Sequence, residues 1–263
     1  MTVFSHCALA ALALALPLGA DNAACLVNLP CYSTTSLVNS ASYATGWFAP
    51  NTFASIFGWN LAYLTASGSA GAEDPSGSLG GVKVLVNAQP ALISYISPDQ
   101  VNFVIPTNLT GTTATVQLSN DSWYGPTVTL TLHDSAPALF LNPDGATAIA
   151  IHSDGTLVTL QSPAHPGELV LLYATGLGPF QAEFGDFSRP VPPDWIARAA
   201  EFSVQLDGQP VDSRLILYVG ATPVSVGVVQ INLQLPAGVG RNPKLRIGLG
   251  DRISPPGAFL PVD

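Results

Sequence analysis

Charged side chains are scarce in this sequence, and basic ones most of all. Charged residues make up 10% of the chain, and 17 acidic residues against 8 basic ones give a formal charge of −9. A globular domain usually has about 25% charged residues. The negative excess would repel a phosphate backbone, and no cluster of Lys or Arg offsets it. Composition therefore argues against nucleic acid as a partner.

Residues that carry common enzyme chemistry are also few, with three Cys and four His in the chain. There is no Gly-x-Ser-x-Gly motif, no Cys-x-x-Cys and no pair of His at zinc spacing. Gly176 and Gly178 match the start of a glycine-rich dinucleotide-binding loop, but Pro179 follows them where such a loop would lead into a helix. This context excludes a dinucleotide loop. Asn142, Asp144 and Asp154 could offer oxygen to calcium, but hairpin turns explain them equally well. The sequence predicts a protein that is not an enzyme and holds no metal and no cofactor.

Long hydrophobic runs are missing after the start of the chain. The Cys7–Ala20 run of 14 residues is too short for a bilayer and is typical of a signal peptide, although no Lys or Arg precedes it. We expect residues 1–24 to be a signal peptide, cleaved between Ala20 and Cys25; a buried helix is the alternative. The expected location is extracellular or at the cell surface, with no transmembrane segment.

Two cysteines remain after this cleavage, Cys25 and Cys31, and an even pair suits an oxidising compartment. A disulfide between them would close a seven-residue loop and stabilise the fold by roughly 2 kcal/mol. It would pin an N-terminal arm over residues 25–40. The alternative is a lipid anchor on Cys25, although the preceding residues lack the Leu expected for one.

Strand patterns dominate the rest of the chain, and helical periodicity is scarce. Short runs of β-branched and aromatic residues alternate with Gly, Pro, Asn and Asp at a spacing typical of an all-β sandwich or barrel. Thr127–Leu132 alternates strictly, so its three apolar residues should face a core. Asp154-Gly155 should form the turn of a hairpin within Ala146–Gln161. One short helical turn is expected at Pro193–Ala200.

The chain repeats itself, with three blocks that recur in the same order. Ala49–Leu61 aligns with His165–Leu177, Val84–Pro90 with Val204–Pro210, and Gln100–Pro106 with Gln230–Pro236. A period above 100 residues indicates duplicated domains. We expect two tandem sandwich domains at residues 41–141 and 142–263, with a boundary between Phe140 and Pro166.

Several short motifs together resemble a known class of domain. They are Val38–Tyr43, Ser55–Gly58, Leu79–Val82, Ile96–Asn102, Tyr173–Pro179 and Gln230–Asn232. This set looks like the IPT/TIG class of immunoglobulin-like domains. The span from Ser36 to Val262 also resembles an uncharacterised C-terminal domain family of secreted acidobacterial proteins. The resemblance implies two immunoglobulin-like modules and an exported protein, and it supplies no activity.

The best candidate for a binding site is the loop of residues 181–201, which combines aromatic and acidic residues. It contains the possible ligand contacts Phe184, Asp186, Phe187, Arg189 and Trp195. A glycosidase needs two carboxylates, and Glu183, Asp186, Asp194 and Glu201 could supply them. The alternative is a surface insertion in which the aromatic residues form a small satellite core.

A second candidate contact is the Trp123-Tyr124 pair in a polar turn between two strands. Such a pair can stack on a sugar or bury in a partner protein, or one ring can fold back over the sandwich edge. Gln100 with Asn102, and Gln230 with Asn232, are polar residues within strands. We expect their amides to satisfy loop backbone groups rather than to bind a ligand.

These observations predict a non-enzymatic extracellular module that binds, adheres or acts as a spacer at a cell surface or in matrix. Its partner would be an extracellular protein or a polysaccharide. The alternatives are a secreted protein that binds or degrades polysaccharide with acids of the 181–201 loop, and a structural remnant of a larger repeat protein.

Overall fold

The structure is a computed structural model that describes residues 28–68, 77–181, 193–222 and 225–263. Its described residues form strands, turns and three short 3-10 helices at Thr34–Ser36, Ala199–Glu201 and Ser213–Leu215. None of the helices in these ranges is long and apolar enough to cross a membrane. The prediction of an all-β fold is confirmed. The helical turn expected at Pro193–Ala200 is wrong for most of that stretch, because Trp195 and Ile196 make β-bridges and the 3-10 helix begins only at Ala199.

Ten strands build two antiparallel sheets in the first half of the chain. Sheet 1 has the order β1-β2-β7-β6-β3, and sheet 2 has the order β10-β8-β4-β5 with β9 paired to β8. The strands are β1 (Leu37–Asn39), β2 (Phe53–Phe57), β3 (Ala66–Ser67), β4 (Val82–Val86), β5 (Gln89–Pro90), β6 (Leu92–Ile96), β7 (Gln100–Val104), β8 (Thr113–Asn120), β9 (Trp123–Tyr124) and β10 (Val128–Thr131).

Nine strands build two further antiparallel sheets in the second half. Sheet 3 has the order β11-β13-β17-β16 with β12 paired to β13, and sheet 4 has the order β15-β14-β18-β19. The strands are β11 (Ala138–Leu139), β12 (Ala150–His152), β13 (Leu169–Thr175), β14 (Phe202–Leu206), β15 (Gln209–Pro210), β16 (Ile216–Thr222), β17 (Ser225–Gln234), β18 (Leu245–Leu249) and β19 (Arg252–Ile253).

Each half buries the inward side chains of its two sheets in its own apolar core. In β10, Val128 and Leu130 face inward, and Leu132 follows on the same side, as the strict alternation predicts. Such period-2 burial on both sheets defines an immunoglobulin-like sandwich. The expectation of two tandem sandwiches is therefore met by the sheets.

The duplication is visible in the turns and the register. β4-β5 and β14-β15 are hairpins whose turns, Asn87-Ala88 and Asp207-Gly208, both have two residues at positive φ. Tyr95 lies opposite Asn102, and Tyr218 lies opposite Asn232, each just after an irregularity of register. The two copies thus share their turn type and the position of a β-bulge, which the sequence blocks alone did not reveal.

The chain enters the sheets of the second half before the predicted domain boundary at residues 141/142. β11 already pairs with β13 of sheet 3, because Ala138 lies opposite Thr175. At the other end, the predicted arm of residues 25–40 contains β1, which pairs with β2 as a regular part of sheet 1. The predicted hairpin around Asp154-Gly155 is present, since Ile151 pairs with Leu157.

The N-terminal arm is held against the first sandwich by Tyr32. Its hydroxyl donates to the Pro126 carbonyl at 2.6 Å and accepts the Leu118 N–H at 2.7 Å. Burial raises the pKa of Tyr32 to about 12, although the Leu118 hydrogen bond opposes the shift. Cys31 exchanges two backbone hydrogen bonds with Trp59. Cys25 lies outside the described residues, so the Cys25–Cys31 disulfide stays a prediction, as does the signal peptide.

A buried junction joins the two halves. The Thr175 hydroxyl accepts the Phe53 N–H and donates to the Gly227 carbonyl, both at 2.7 Å. Asn51 donates its side-chain amide to the Gly178 carbonyl at 3.1 Å. Gly227 has a φ of +76°, and a Cβ there would lie 2.7 Å from a methyl group of Val104. The close approach of the two sandwiches therefore depends on glycine at this position.

Candidate functional site

Trp195 lies beside β16, the edge strand of sheet 3. Its backbone pairs with Gly220, and Gln181 N–H donates to its carbonyl at 2.9 Å. A Cβ on Gly220 would lie 2.0 Å from the Asp194 carbonyl oxygen. Glycine within β16 thus permits the close approach that holds Trp195 on the strand.

Trp195 is partly exposed, with 40% of its surface accessible to solvent. One side of it packs edge-on against the Tyr218 ring, with centroids 5.3 Å apart. The Tyr218 hydroxyl lies 3.0 and 2.9 Å from the carbonyl oxygens of Asp194 and Ala221, which share its single proton. Tyr218 therefore fixes both the ring and the backbone of the Trp195 segment.

A half-open cleft of about 370 Å³ lies between this segment and the strands. It is lined by Trp195, Ala199, Ala200, Phe202, Ser213, Ile216 and Val219. Ser213 is the single polar side chain in this lining. The cleft can therefore take an apolar group, although polar atoms make up about half of its exposed surface. We call it the Trp195 cleft.

The charged residues near the Trp195 cleft are paired with each other. Arg198 makes two hydrogen bonds to Glu201 at 2.9 and 2.5 Å, and Arg214 binds Asp212 through both of its carboxylate oxygens. The Arg214 hydrogen bonds hold the pKa of Asp212 at about 2. The rim thus presents matched charges rather than a field of one sign.

Most residues predicted for the 181–201 site cannot be compared with the structure. Glu183, Phe184, Asp186, Phe187 and Arg189 lie outside the described residues. Of the two acids that are described, Glu201 is committed to Arg198 and Asp194 contributes its backbone carbonyl to Tyr218. All of the predicted ligand contacts, including Trp195, and the idea of a carboxylate pair stay predictions.

Trp123 and Tyr124 form the short strand β9, at the tip of a hairpin with β8. Asn120 lies opposite Trp123, and Ser119 lies opposite Tyr124. Trp123 is 48% exposed and Tyr124 61%. Neither ring therefore folds into a core, and both remain available to a partner.

The polar pairs within the strands have a different role from the one predicted. Gln100 donates to the Asn102 side-chain oxygen at 2.8 Å, and Gln230 donates to that of Asn232 at 2.7 Å. Ser55 also donates to Asn102, at 2.9 Å. The expectation that these amides bind loop backbone is wrong, because directly successive side chains on one face of a strand lie close enough to bond each other.

The predicted calcium ligands and the histidines are engaged locally. Asp144 accepts hydrogen bonds from the backbone of Ala146 and Thr147, as a turn residue does. His152 directs one ring nitrogen to the Glu168 carboxylate at 2.5 Å and the other to the Ser162 carbonyl at 3.1 Å. The described ranges contain no group of three His, Cys, Asp or Glu that could hold a metal ion.

Protonation of His152 is favoured by this arrangement. Desolvation lowers its pKa, but the hydrogen bonds to Glu168 and Ser162 and the attraction of Glu168 and Asp154 outweigh that effect. The pKa of His152 is therefore raised above its usual value, since both ring nitrogens face acceptors and the imidazolium can donate to both. The Ser162 hydroxyl also lies 3.5 Å from the second ring nitrogen, which the Ser162 carbonyl approaches more closely, at 3.1 Å. We interpret the His152–Glu168 pair as a structural contact.

Sequence reasoning missed several exposed apolar residues in the first half. Trp59, Tyr63 and Leu64 are exposed in the connection that follows β2. The sequence repeat could have predicted them. The connection after β13 contains the candidate contact Trp195, and the repeat makes the connection after β2 equivalent to it. Tyr218, which positions Trp195, gave no signal, since its partner is distant in sequence.

Several solved structures are similar to this chain at low sequence identity. The chain is similar to the extracellular region of plexin A4, with 12% identity and a TM-score of 0.29 over 94% of this chain and 16% of that one. It is also similar to the SGBP-B protein of a mixed-linkage glucan utilization locus of Bacteroides ovatus, with 10% identity and a TM-score of 0.37 over 90% and 46%. Tandem Ig repeats of Dlar match with 11% identity and a TM-score of 0.23 over 90% and 96%.

This chain spans less than half of the plexin and Bacteroides ovatus chains, and scores at this level carry no argument about function. No curated protein matches the sequence. Membership of the acidobacterial family, and a second IPT/TIG domain in the second half of the chain, stay expectations. IPT/TIG and related immunoglobulin-like domains are typically non-catalytic. The family comparison identifies an IPT/TIG domain at residues 36–132.

Proposed function

We propose that this protein is a non-enzymatic extracellular binding module whose main contact surface is the Trp195 cleft. The observation that carries the proposal is the partly exposed Trp195 beside a cleft whose lining side chains are mostly apolar. Exposed aromatic rings at the rim of a pocket are the usual anchors of recognition surfaces. Export is supported by the Cys7–Ala20 run of the sequence.

The partner that fits this cleft best is an extended protein segment with an apolar side chain. An aliphatic or aromatic side chain fits the mostly apolar side chains of the lining, and the polar atoms that make up about half of the exposed surface can bond the backbone of the same segment. The rim charges are already paired, so they add no preference for a charged partner.

The edge of β16 offers a second reason to favour a protein segment. The Trp195 segment covers this edge at Val219 and Ala221, where Ile196 N–H and the Asp194 carbonyl make backbone hydrogen bonds. Ile216 lies further along the same strand and lines the cleft. An extended segment could run along β16 and place a side chain in the cleft, as in β-strand addition.

Selection of peptides from a random phage library tests this proposal without a known partner. The wild-type protein is the bait, and Trp195→Ala is used for counter-selection. We expect enriched peptides with a large apolar residue, and about 30-fold weaker binding by Trp195→Ala. Leu217→Ala is the matched control, because Leu217 is exposed on the same strand and does not line the cleft.

The proposal is wrong if every enriched peptide binds wild type and Trp195→Ala equally well, or if selection yields no binder. The thermal unfolding of both variants is measured in parallel, so that lost binding is not confused with lost structure.

A further inference from the structure

The first sandwich carries a second surface, at the end opposite the junction. β2 runs from Phe53 at the junction to Phe57, and β8 ends at Asn120 on the same far side. The loops that follow these strands meet there. Asp121 N–H donates to the Gly81 carbonyl at 2.9 Å, and Asn120 donates to the Asn60 carbonyl at 3.5 Å.

Exposed apolar residues concentrate at this end. Ten large hydrophobic side chains are exposed in the described parts of the chain, and five of them lie in these loops. They are Trp59, Tyr63, Leu64, Trp123 and Tyr124. We call these five residues the loop-end surface. A concentration of this kind on a soluble protein marks an interaction site rather than scattered exposure.

The backbone beneath the loop-end surface is well fixed. Trp59 is tied to the arm by its two hydrogen bonds with Cys31, at 2.9 and 3.0 Å. A Cβ on Gly80 would lie 3.2 Å from a Leu64 methyl group and 2.8 Å from one of Ile96. The rings are therefore presented from ordered loops, which lowers the entropy lost on binding.

The duplication shows what this hairpin does in the other copy. β18-β19 of the second sandwich corresponds to β8-β9 of the first, with Leu249 opposite Arg252. There the hairpin faces the junction, where Ser135 donates to the Leu249 carbonyl at 3.2 Å and Arg252 lies 5.5 Å above the Trp47 ring. In the first copy the same hairpin is exposed and carries two aromatic rings instead.

The loops of the loop-end surface contain acidic and amide side chains but no basic ones. The segments 28–31, 58–64, 79–81, 97–99 and 119–124 contain no Lys or Arg, and they include Asp99 and Asp121. The side-chain oxygen of Asn120 is buried and lacks a hydrogen-bond partner in the described structure.

From this chemistry we propose that the loop-end surface binds a neutral polysaccharide chain. Flat aromatic rings stack on sugar faces, and amide and carboxylate oxygens accept hydrogen bonds from sugar hydroxyls. The absence of basic residues in these loops disfavours anionic polymers, and the acidic residues would repel them. The site is separate from the Trp195 cleft and does not depend on the proposed function of that cleft.

Retention of the purified protein on a panel of polysaccharides tests the proposal. The neutral members are cellulose, chitin, starch and galactomannan, and the anionic member is polygalacturonate. We expect retention on at least one neutral polymer and none on polygalacturonate. Trp123→Ala and Tyr124→Ala should each weaken the retention about tenfold or more. Leu217→Ala is the matched control and should leave retention unchanged, because Leu217 has similar exposure on the other sandwich and belongs to neither proposed surface. Trp195→Ala reports whether the Trp195 cleft contributes to the retention.

The remaining outcomes would overturn the proposal. They are failure to bind any neutral polymer of the panel, retention that survives both substitutions, and retention lost in Trp195→Ala alone. Self-association that depends on Trp123, measured by analytical ultracentrifugation without polysaccharide, would instead assign the surface to a second copy of the chain. Thermal unfolding of each variant confirms that exposed rings have been removed from folded protein.

Discussion

Removal of the Thr175 hydroxyl is the sharpest test of the junction between the two sandwiches. Thr175→Val keeps the shape of the side chain but loses both hydrogen bonds, to Phe53 N–H and to the Gly227 carbonyl. Thr175 has no exposed surface, and Phe53 is only partly buried. An unpartnered buried group costs about 1–3 kcal/mol, and a partly buried one lies at the low end. We therefore expect a destabilisation of about 3 kcal/mol.

The matched control is Thr175→Ser, which keeps the hydroxyl and loses one methyl group, at about 1 kcal/mol. In a protein of this size each kcal/mol lowers the melting temperature by about 2–4 °C. Thr175→Val should thus melt about 6–12 °C below wild type, and Thr175→Ser about 2–4 °C below it. Urea denaturation followed by tryptophan fluorescence gives the free energies of unfolding.

Cooperativity adds a second readout. Because the hydroxyl connects one residue of each half, its loss should separate the unfolding of the two sandwiches. We expect a single calorimetric transition for wild type and a broadened or double transition for Thr175→Val. Equal stability of the Val and Ser variants would show that the hydroxyl does not hold the junction, and would refute this reasoning.

Three further changes have clear expected outcomes. Trp195→Ala should destabilise by about 1 kcal/mol, through its lost contact with a single ring, whereas a core tryptophan would cost about 3–5 kcal/mol; chemical denaturation separates the two. Gly220→Ala should abolish peptide binding at the Trp195 cleft, because its Cβ displaces the segment that carries Trp195; retained affinity in a titration would contradict this. His152→Gln should lose more stability at about pH 5.5 than at about pH 8. The reason is that the raised pKa of His152 stabilises the fold below its unfolded pKa, and this is lost as the pH rises through the folded pKa.

The architecture could be predicted because it depends on local patterns. Alternation in Thr127–Leu132 places one face of β10 in the core, and Asp207-Gly208 supplies the positive φ of a tight hairpin. The repeated blocks then extended this reasoning from one sandwich to two. Each of these signals lies within a few residues of the structure that it predicts.

The boundary and the amide pairs could not be predicted in the same way. Ala138 joins sheet 3 because it meets Thr175, which lies 37 residues further along the chain, and no local pattern records that pairing. From the sequence, the side-chain amide of Gln100 could have donated either to loop backbone or to a neighbouring side chain. The structure shows that it donates to Asn102, which lies on the same face of the strand. The contact of Tyr218 with the Trp195 ring could not be predicted for the same reason, because the two residues are distant in sequence.

The two proposed surfaces have a common origin in the duplicated module. Trp59, Tyr63 and Leu64 lie in the connection from β2 to β4, and Trp195 lies in the equivalent connection from β13 to β14. This connection crosses from one sheet of a sandwich to the other, so its residues can vary without breaking a ladder of hydrogen bonds. In the second copy, however, the end with the β18-β19 hairpin is occupied by the junction, which leaves the side of β16 as the free place for an exposed ring. The same connection in the first copy is not covered by a sandwich in the described structure. One module, used twice in a head-to-tail stack, thus accounts for an apolar cleft on the side of one sandwich and an aromatic end on the other.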